Sequence, residues 1–253
     1  MTTGTTEPAT PAAPAAPGKN VFERIAGVLF APADAFEEIA RRPGAIAPLI
    51  LFILAGYASS FIVIPRLDID AITTAQQDAM RKKNPNVSQA DLDRMARIGT
   101  SFNKVILWAA PVLLVVIYVI IAAVLLLAFR LMGGEGTFHQ ALSATLYAWI
   151  PLLILSIITT IVVLVRGSFD PTTAATLVMS NPAFLVDMKE QPVLYSLLSS
   201  LDVFTIWTLV LLAFGFAALA RMARSSAAAI VFSLWVALIL AKIGFAALTN
   251  PGA

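Results

Sequence analysis

Five long apolar runs dominate the chain, at 45–65, 105–130, 146–165, 203–220 and 227–248, with polar or proline- and glycine-bearing stretches between them. A hydrocarbon core of about 30 Å asks about 20 apolar residues of a spanning helix, and each run is long enough. The runs are continuous and do not alternate, and a helix satisfies its own backbone hydrogen bonds in lipid, so the pattern predicts helices and not a barrel. The expected fold class is all-α: a polytopic integral membrane protein with five transmembrane helices, preceded by amphipathic interfacial helices. Two of the latter are predicted at 20–43. In the first, Phe22, Ile25, Ala26, Leu29 and Phe30 recur at helical spacing, with Glu23 and Arg24 off that face. The second runs from Pro32 to Arg42, with Asp34, Glu37 and Glu38 early and Arg41 and Arg42 at its end, in the sense the helix macrodipole favours.

The connections follow from their breakers. Residues 66–104 are polar, with Asn84-Pro-Asn86 as a break and Ser88-Gln-Ala-Asp91 as a helix start, which predicts a helical hairpin outside the bilayer. Its cluster Arg81-Lys82-Lys83 sits among aspartates and reads as a solvated face. Between the third and fourth runs, Asp170-Pro171, Asn181-Pro182 and Gln191-Pro192 predict an interface-hugging loop with a short helix at 192–200. The domain division is therefore a Pro/Ala/Thr-rich disordered tail at 1–19 without the pattern of a secretory signal, interfacial helices at 20–43, and a five-helix membrane domain at 44–249.

Composition sharpens this picture. The chain of 253 residues is 59% hydrophobic and 13% charged, against about one quarter charged in a soluble domain. A net charge of +2 from scattered basic residues gives no nucleic-acid footprint, and the absence of cysteine removes disulfides and thiolate chemistry.

The most polar short connection is Gly133-Gly-Glu-Gly-Thr-Phe-His-Gln140. A phosphate loop would follow its glycines with lysine and serine or threonine, and Glu135 would repel phosphate. As a turn it reads residue by residue: Gly133 and Gly134 end the second span in glycine-favoured conformations, Arg130 meets its carbonyl end, and Thr137 caps the next helix. His139, the one histidine, has no second ligand nearby and reads as a surface residue, so no metal or other cofactor is expected. Further on, Pro151 clashes with the carbonyl of Tyr147 and predicts a break in the third span there, a place where membrane helices pack or line cavities.

The succession Pro32-Ala-Asp-Ala-Phe36-Glu-Glu-Ile39, then Gly133-Gly134-Glu-Gly136-Thr137-Phe138-His-Gln140-Ala141-Leu142, Tyr147-Ala-Trp-Ile-Pro151 and Leu201-Asp202-Val-Phe204-Thr-Ile-Trp207 resembles the bacterial branch of the Yip-domain family, named for Ypt/Rab-interacting proteins. The resemblance covers about 22–248. It implies a five-helix membrane protein of the bacterial cytoplasmic (inner) membrane, with a cytoplasmic amino terminus and an extracytoplasmic carboxyl terminus. The eukaryotic members' link to prenylated small GTPases is not carried over, because the chain has no clear counterpart of their acidic Asp-Leu-Tyr-Gly-Pro motif. Basic residues are near balance across the membrane, and the short turns, which weigh most, also favour the amino terminus inside.

Two intramembrane features remain. Lys242 lies inside the fifth run, and antiparallel pairing through the 221–226 turn puts it within about 5 Å of the depth of Asp202. Either the two pair or Lys242 snorkels to the interface. On the same run Ala229, Ser233, Ala237 and Ala241 recur every four residues, a seam for intramolecular packing or for a second copy. The function expected is a non-catalytic membrane scaffold or adaptor that meets the bilayer, and a protein partner, through 20–43. The alternative is a transporter or permease subunit with Thr159, Thr160 and Lys242 along a path. An intramembrane enzyme would need paired carboxylates, a metal motif or a serine with a base, and no such set occurs at useful depth.

Overall fold

The computed structural model describes residues 19–169, 176–188 and 190–249; all of the predicted 1–19 tail but Lys19, and the Asp170-Pro171 break, lie outside them. The helices are α1 (Val21–Phe30), α2 (Pro32–Arg41), α3 (Ile46–Val63), α4 (Ile69–Lys83), α5 (Gln89–Leu131), α6 (Phe138–Ala148), α7 (Ile150–Arg166), α8 (Pro192–Leu198), α9 (Val203–Ala220) and α10 (Arg224–Thr249). Five segments are long and apolar enough to cross a membrane: Ile46–Arg66, Val105–Leu131, Phe138–Arg166, Val203–Ala220 and Arg224–Leu248. α1, α2, the 132–137 turn and the 221–223 turn therefore share one side, and the α4–α5 hairpin and α8 the other.

The predicted hairpin forms by extension of the second span. α5 runs unbroken for 43 residues, about 65 Å at 1.5 Å per residue, so its first part projects well beyond the bilayer with α4 along it. Ser88 caps its start, accepting from the Asp91 amide at 3.1 Å. The hairpin's base is tied to the far loop through the Asp68 amide, which donates to the Phe169 carbonyl at 3.2 Å.

The third span begins earlier than its apolar run. Expected from 146, it starts at Phe138 and breaks at Trp149, where α6 gives way to α7 with Pro151 in the new first turn. Hydropathy misses the opening turns because His139, Gln140, Ser143 and Thr145 dilute it; Ser143 and Thr145 are nonetheless fully buried. The Ser143 hydroxyl returns to the His139 carbonyl at 2.8 Å. At the break, the freed positions are rebridged by the Trp149 carbonyl, which accepts from the amides of Leu152 (3.1 Å) and Leu153 (3.2 Å). The Trp149 ring packs edge-on to Tyr118, centroids 4.9 Å apart, and Tyr118 in turn on Phe52 at 5.1 Å, which locks α3, α5 and the α6–α7 joint together.

α9 is the most buried span and the axis of the bundle, packed against α2, α6, α7 and α10. α10, by contrast, is largely exposed. Ala229, Ser233, Ala237 and Ala241 all face outward, so the small-residue seam does not serve packing within the chain.

Candidate functional site

The side of the bundle bearing α1 and α2 holds three ion pairs, Lys19–Glu38, Arg24–Glu38 and Glu135–Arg221. α2 is not a helix resting on the surface: Ala35, Phe36 and Ile39 are buried against α6 and α9, while Asp34, Glu37, Arg41 and Arg42 face outward. Phe36 is seated by the absence of a side chain at Gly215, where a Cβ would come within 3.1 Å of its ring and 3.2 Å of Ala144. α1 follows α2 into place. A reciprocal capping box of Asn20 and Glu23 starts it, and Val28 is fully buried. The apolar face predicted from spacing points away from the protein at its ends, with Phe22 73% and Phe30 86% exposed.

Arg24, on the opposite face of α1, turns inward. Its side chain is only 11% exposed and its Nη2 lies 3.5 Å from Oε1 of Glu38, whose side chain is 15% exposed. The contact is a charge pair without hydrogen-bond geometry, since that Oε1 and the Arg24 Nε have no hydrogen-bond partner. Lys19 reaches the other Glu38 oxygen at 3.2 Å. Tyr147, fully buried on α6, lies beside the Arg24 guanidinium. Sequence reasoning singled out Tyr147 but missed Arg24 and Glu38. The available signal was a cation on α1 and the acids of α2, on two helices that the chain folds back on each other.

The glycine turn is built as predicted at one glycine and differently at the next. Gly133 takes φ +84°, and the Gly134 and Gly133 amides donate back to the Phe129 and Arg130 carbonyls at 2.8 and 3.0 Å, a Schellman closure of α5. Gly134 has no positive φ; it is glycine for close approach, since a Cβ there would stand 2.9 Å from that of Ala220. Arg130 reaches not the end of α5 but the Gly136 carbonyl, at 2.8 Å. Thr137 caps α6 as expected, in a box whose second member, Gln140, the Thr-x-x-Gln spacing could have supplied. Gln140 also donates to the Ala40 carbonyl at 2.7 Å, joining α6 to the end of α2. Glu135 makes an exposed ion pair with Arg221 at 3.2 Å, and its amide donates to the Ala220 carbonyl, also at 3.2 Å.

On the other side, Asp202 and Lys242 do not meet; no ion pair joins them among the described residues. Buried Asp202 caps α9, accepting from the amides of Phe204 (2.9 Å) and Thr205 (3.0 Å), and takes the Ser180 hydroxyl as well. Sequence register matched their depth but not their direction around the helices. Asp202→Ala is expected to lower stability by about 2 kcal/mol, the upper end of the range for a cap because the far loop loses its anchor too, and Asp202→Asn by clearly less. Thermal unfolding of the purified variants in detergent measures both.

Lys242 is exposed and caps α8, donating to the Ser196 carbonyl at 3.1 Å and to the hydroxyls of Ser199 at 2.9 Å and Ser200 at 3.1 Å. Lys242→Met should speed amide exchange at 192–200 while leaving the unfolding midpoint of the bundle nearly unchanged. Of the residues named for a transport path, Thr159 donates to the Leu155 carbonyl and Thr160 to that of Ser156, and Thr160 also meets Ser59 of α3 at 2.6 Å. Each has a local partner. Trp207 packs, partly buried, against the main core. Among the described residues, no group of three His, Cys, Asp or Glu side chains is placed to hold a metal ion.

No curated protein and no solved structure matches the chain. The family model described as the Yip1 domain matches residues 26–245, from the middle of α1 to the last turns of α10. The match spans most of the helices described above, and the chain belongs to the Yip1 domain family of membrane proteins.

Proposed function

We propose that this chain is a non-catalytic scaffold or adaptor of a bacterial cytoplasmic membrane, with its α1–α2 side in the cytoplasm, acting in membrane organisation or a trafficking-like process. The observation that carries the reading is the position of α2. Its apolar edge is built into the bundle, so its charged edge, Asp34, Glu37, Arg41 and Arg42, is presented to water on a fixed support. A platform held in this way suits a protein partner, because little side-chain or backbone order is lost when the partner docks. The local pairing of Thr159 and Thr160, the hydroxyls named for a transport path, supports the same reading.

Affinity purification from native membranes in mild detergent, comparing the wild type with Asp34→Lys/Glu37→Lys, tests it. Deleting 1–42 would not, since that removes Phe36 and Ile39 from the core. The adaptor reading expects specific proteins that are lost with the charge reversal at unchanged thermal stability. Identical co-purifying proteins from both forms would refute a role for this face.

A further inference from the structure

Beside the charge pair lies an open cleft of about 340 Å³, between α1, the start of α3 and α6, which contributes His139 from its first turn and Tyr147 from its last. That is within the range of small-ligand sites. Its lining includes Lys19, Arg24, Gly44, Ile46, His139 and Tyr147, two cations, an imidazole and a phenol, with no acid among the lining residues. Glu38 stands behind the cations and orients them, reaching Lys19 at 3.2 Å and Arg24 at 3.5 Å. One carboxylate against two cations leaves the cleft with excess positive charge. The Arg24 Nε is buried and has no partner in the protein. Gly44 lets the guanidinium lie against the backbone, since a Cβ there would come within 3.1 Å of Nη1. The cleft also receives the first turn of α3, whose N-terminal amides no side chain caps.

Depth and surroundings narrow the ligand. Ile46 both lines the cleft and opens the first membrane-spanning segment, so the cleft sits at headgroup level. From it an exposed apolar stripe descends α3 at four-residue spacing, Ile46 (71% exposed), Ile50 (50%) and Leu54 (63%). We propose that this cleft binds the phosphate group of a phospholipid headgroup, with Lys19, Arg24 and the α3 N-terminus holding the phosphate and an acyl chain lying along Ile46, Ile50 and Leu54. The bound lipid fastens α1 to α3 and α6 at the membrane surface. This inference is independent of the adaptor reading.

The test uses the full chain in detergent, titrated with dioctanoyl phosphatidic acid, dioctanoylglycerol and inorganic phosphate, with native mass spectrometry and thermal shift as readouts. Two variants accompany the wild type: Lys19→Gln, at an exposed position, and Arg24→Met/Glu38→Leu, which removes the guanidinium without stranding the carboxylate. The wild type should bind the phosphatidic acid and be stabilised by it, Lys19→Gln should bind it roughly tenfold more weakly, and the double variant more weakly still, as expected for lost charge-assisted contacts. Equal binding of dioctanoylglycerol, or wild-type affinity in both variants, would overturn the proposal. Inorganic phosphate binding as tightly as the lipid would assign the cleft to free phosphate and overturn the role of the α3 stripe.

Discussion

Phe36→Ala is expected to lower the stability of the purified chain by about 3–5 kcal/mol, the cost of emptying a fully buried phenylalanine site. Phe36 has no exposed surface and fills the notch left by Gly215 and Ala144, so its loss opens a cavity where α2 meets α6 and α9. The closeness of those backbones limits collapse around the gap. Phe22 and Phe30, on the neighbouring helix α1 but 73% and 86% exposed, provide the contrast. Their replacement by alanine should change the stability by no more than about 0.5 kcal/mol. If Phe36→Ala cost no more than the two α1 replacements, α2 would be a peripheral helix and not part of the bundle.

The second large effect concerns the pair beneath α1. Glu38→Ala leaves the Arg24 guanidinium buried and uncompensated, and about 3–5 kcal/mol should be lost. Replacing both residues, as Arg24→Met/Glu38→Leu, should return stability to within about 1 kcal/mol of the wild type, because apolar side chains of similar size avoid the desolvation cost of both ions. Lys19→Ala, at a side chain that is half exposed, should cost under about 1 kcal/mol despite its shorter 3.2 Å contact with the same carboxylate. Denaturation of the four forms in one detergent checks the whole cycle. A double variant as unstable as the single one would mean that Arg24 acts through something other than Glu38.

The spans were legible because lipid imposes a one-dimensional rule: a continuous apolar run of sufficient length. The break was legible too, since a proline at 151 acts locally on its own helix. What escaped was direction. Spacing identified an apolar edge on α2 but could not say that Phe36 would find a glycine opposite it on α9, some 180 residues later in the chain. On α1 the same spacing marks Phe22 and Phe30, which turn outward, together with Ile25 and Leu29, which pack on the core, and it leaves Arg24 off the face, because a buried charge is visible only once its counter-charge is placed. Ala229, Ser233, Ala237 and Ala241 recur as a packing seam does, yet nothing in the period tells which way α10 is rotated. Depth alone pairs Lys242 with the nearest acid, while the groups it meets are a carbonyl of the seven-residue α8 and the hydroxyls of the two serines that follow it.

The adaptor account places its working contact on the outward edge of α2. Its most direct test is site-specific photo-cross-linking in native membranes, with the reactive side chain at Glu37 or Arg41 and, as the control, at Ile120, which is exposed in the middle of the second span. The account predicts discrete protein adducts of the same partner from positions 37 and 41 and none of that partner from position 120. No adduct at 37 or 41, or the same partner captured equally well at 120, would contradict it.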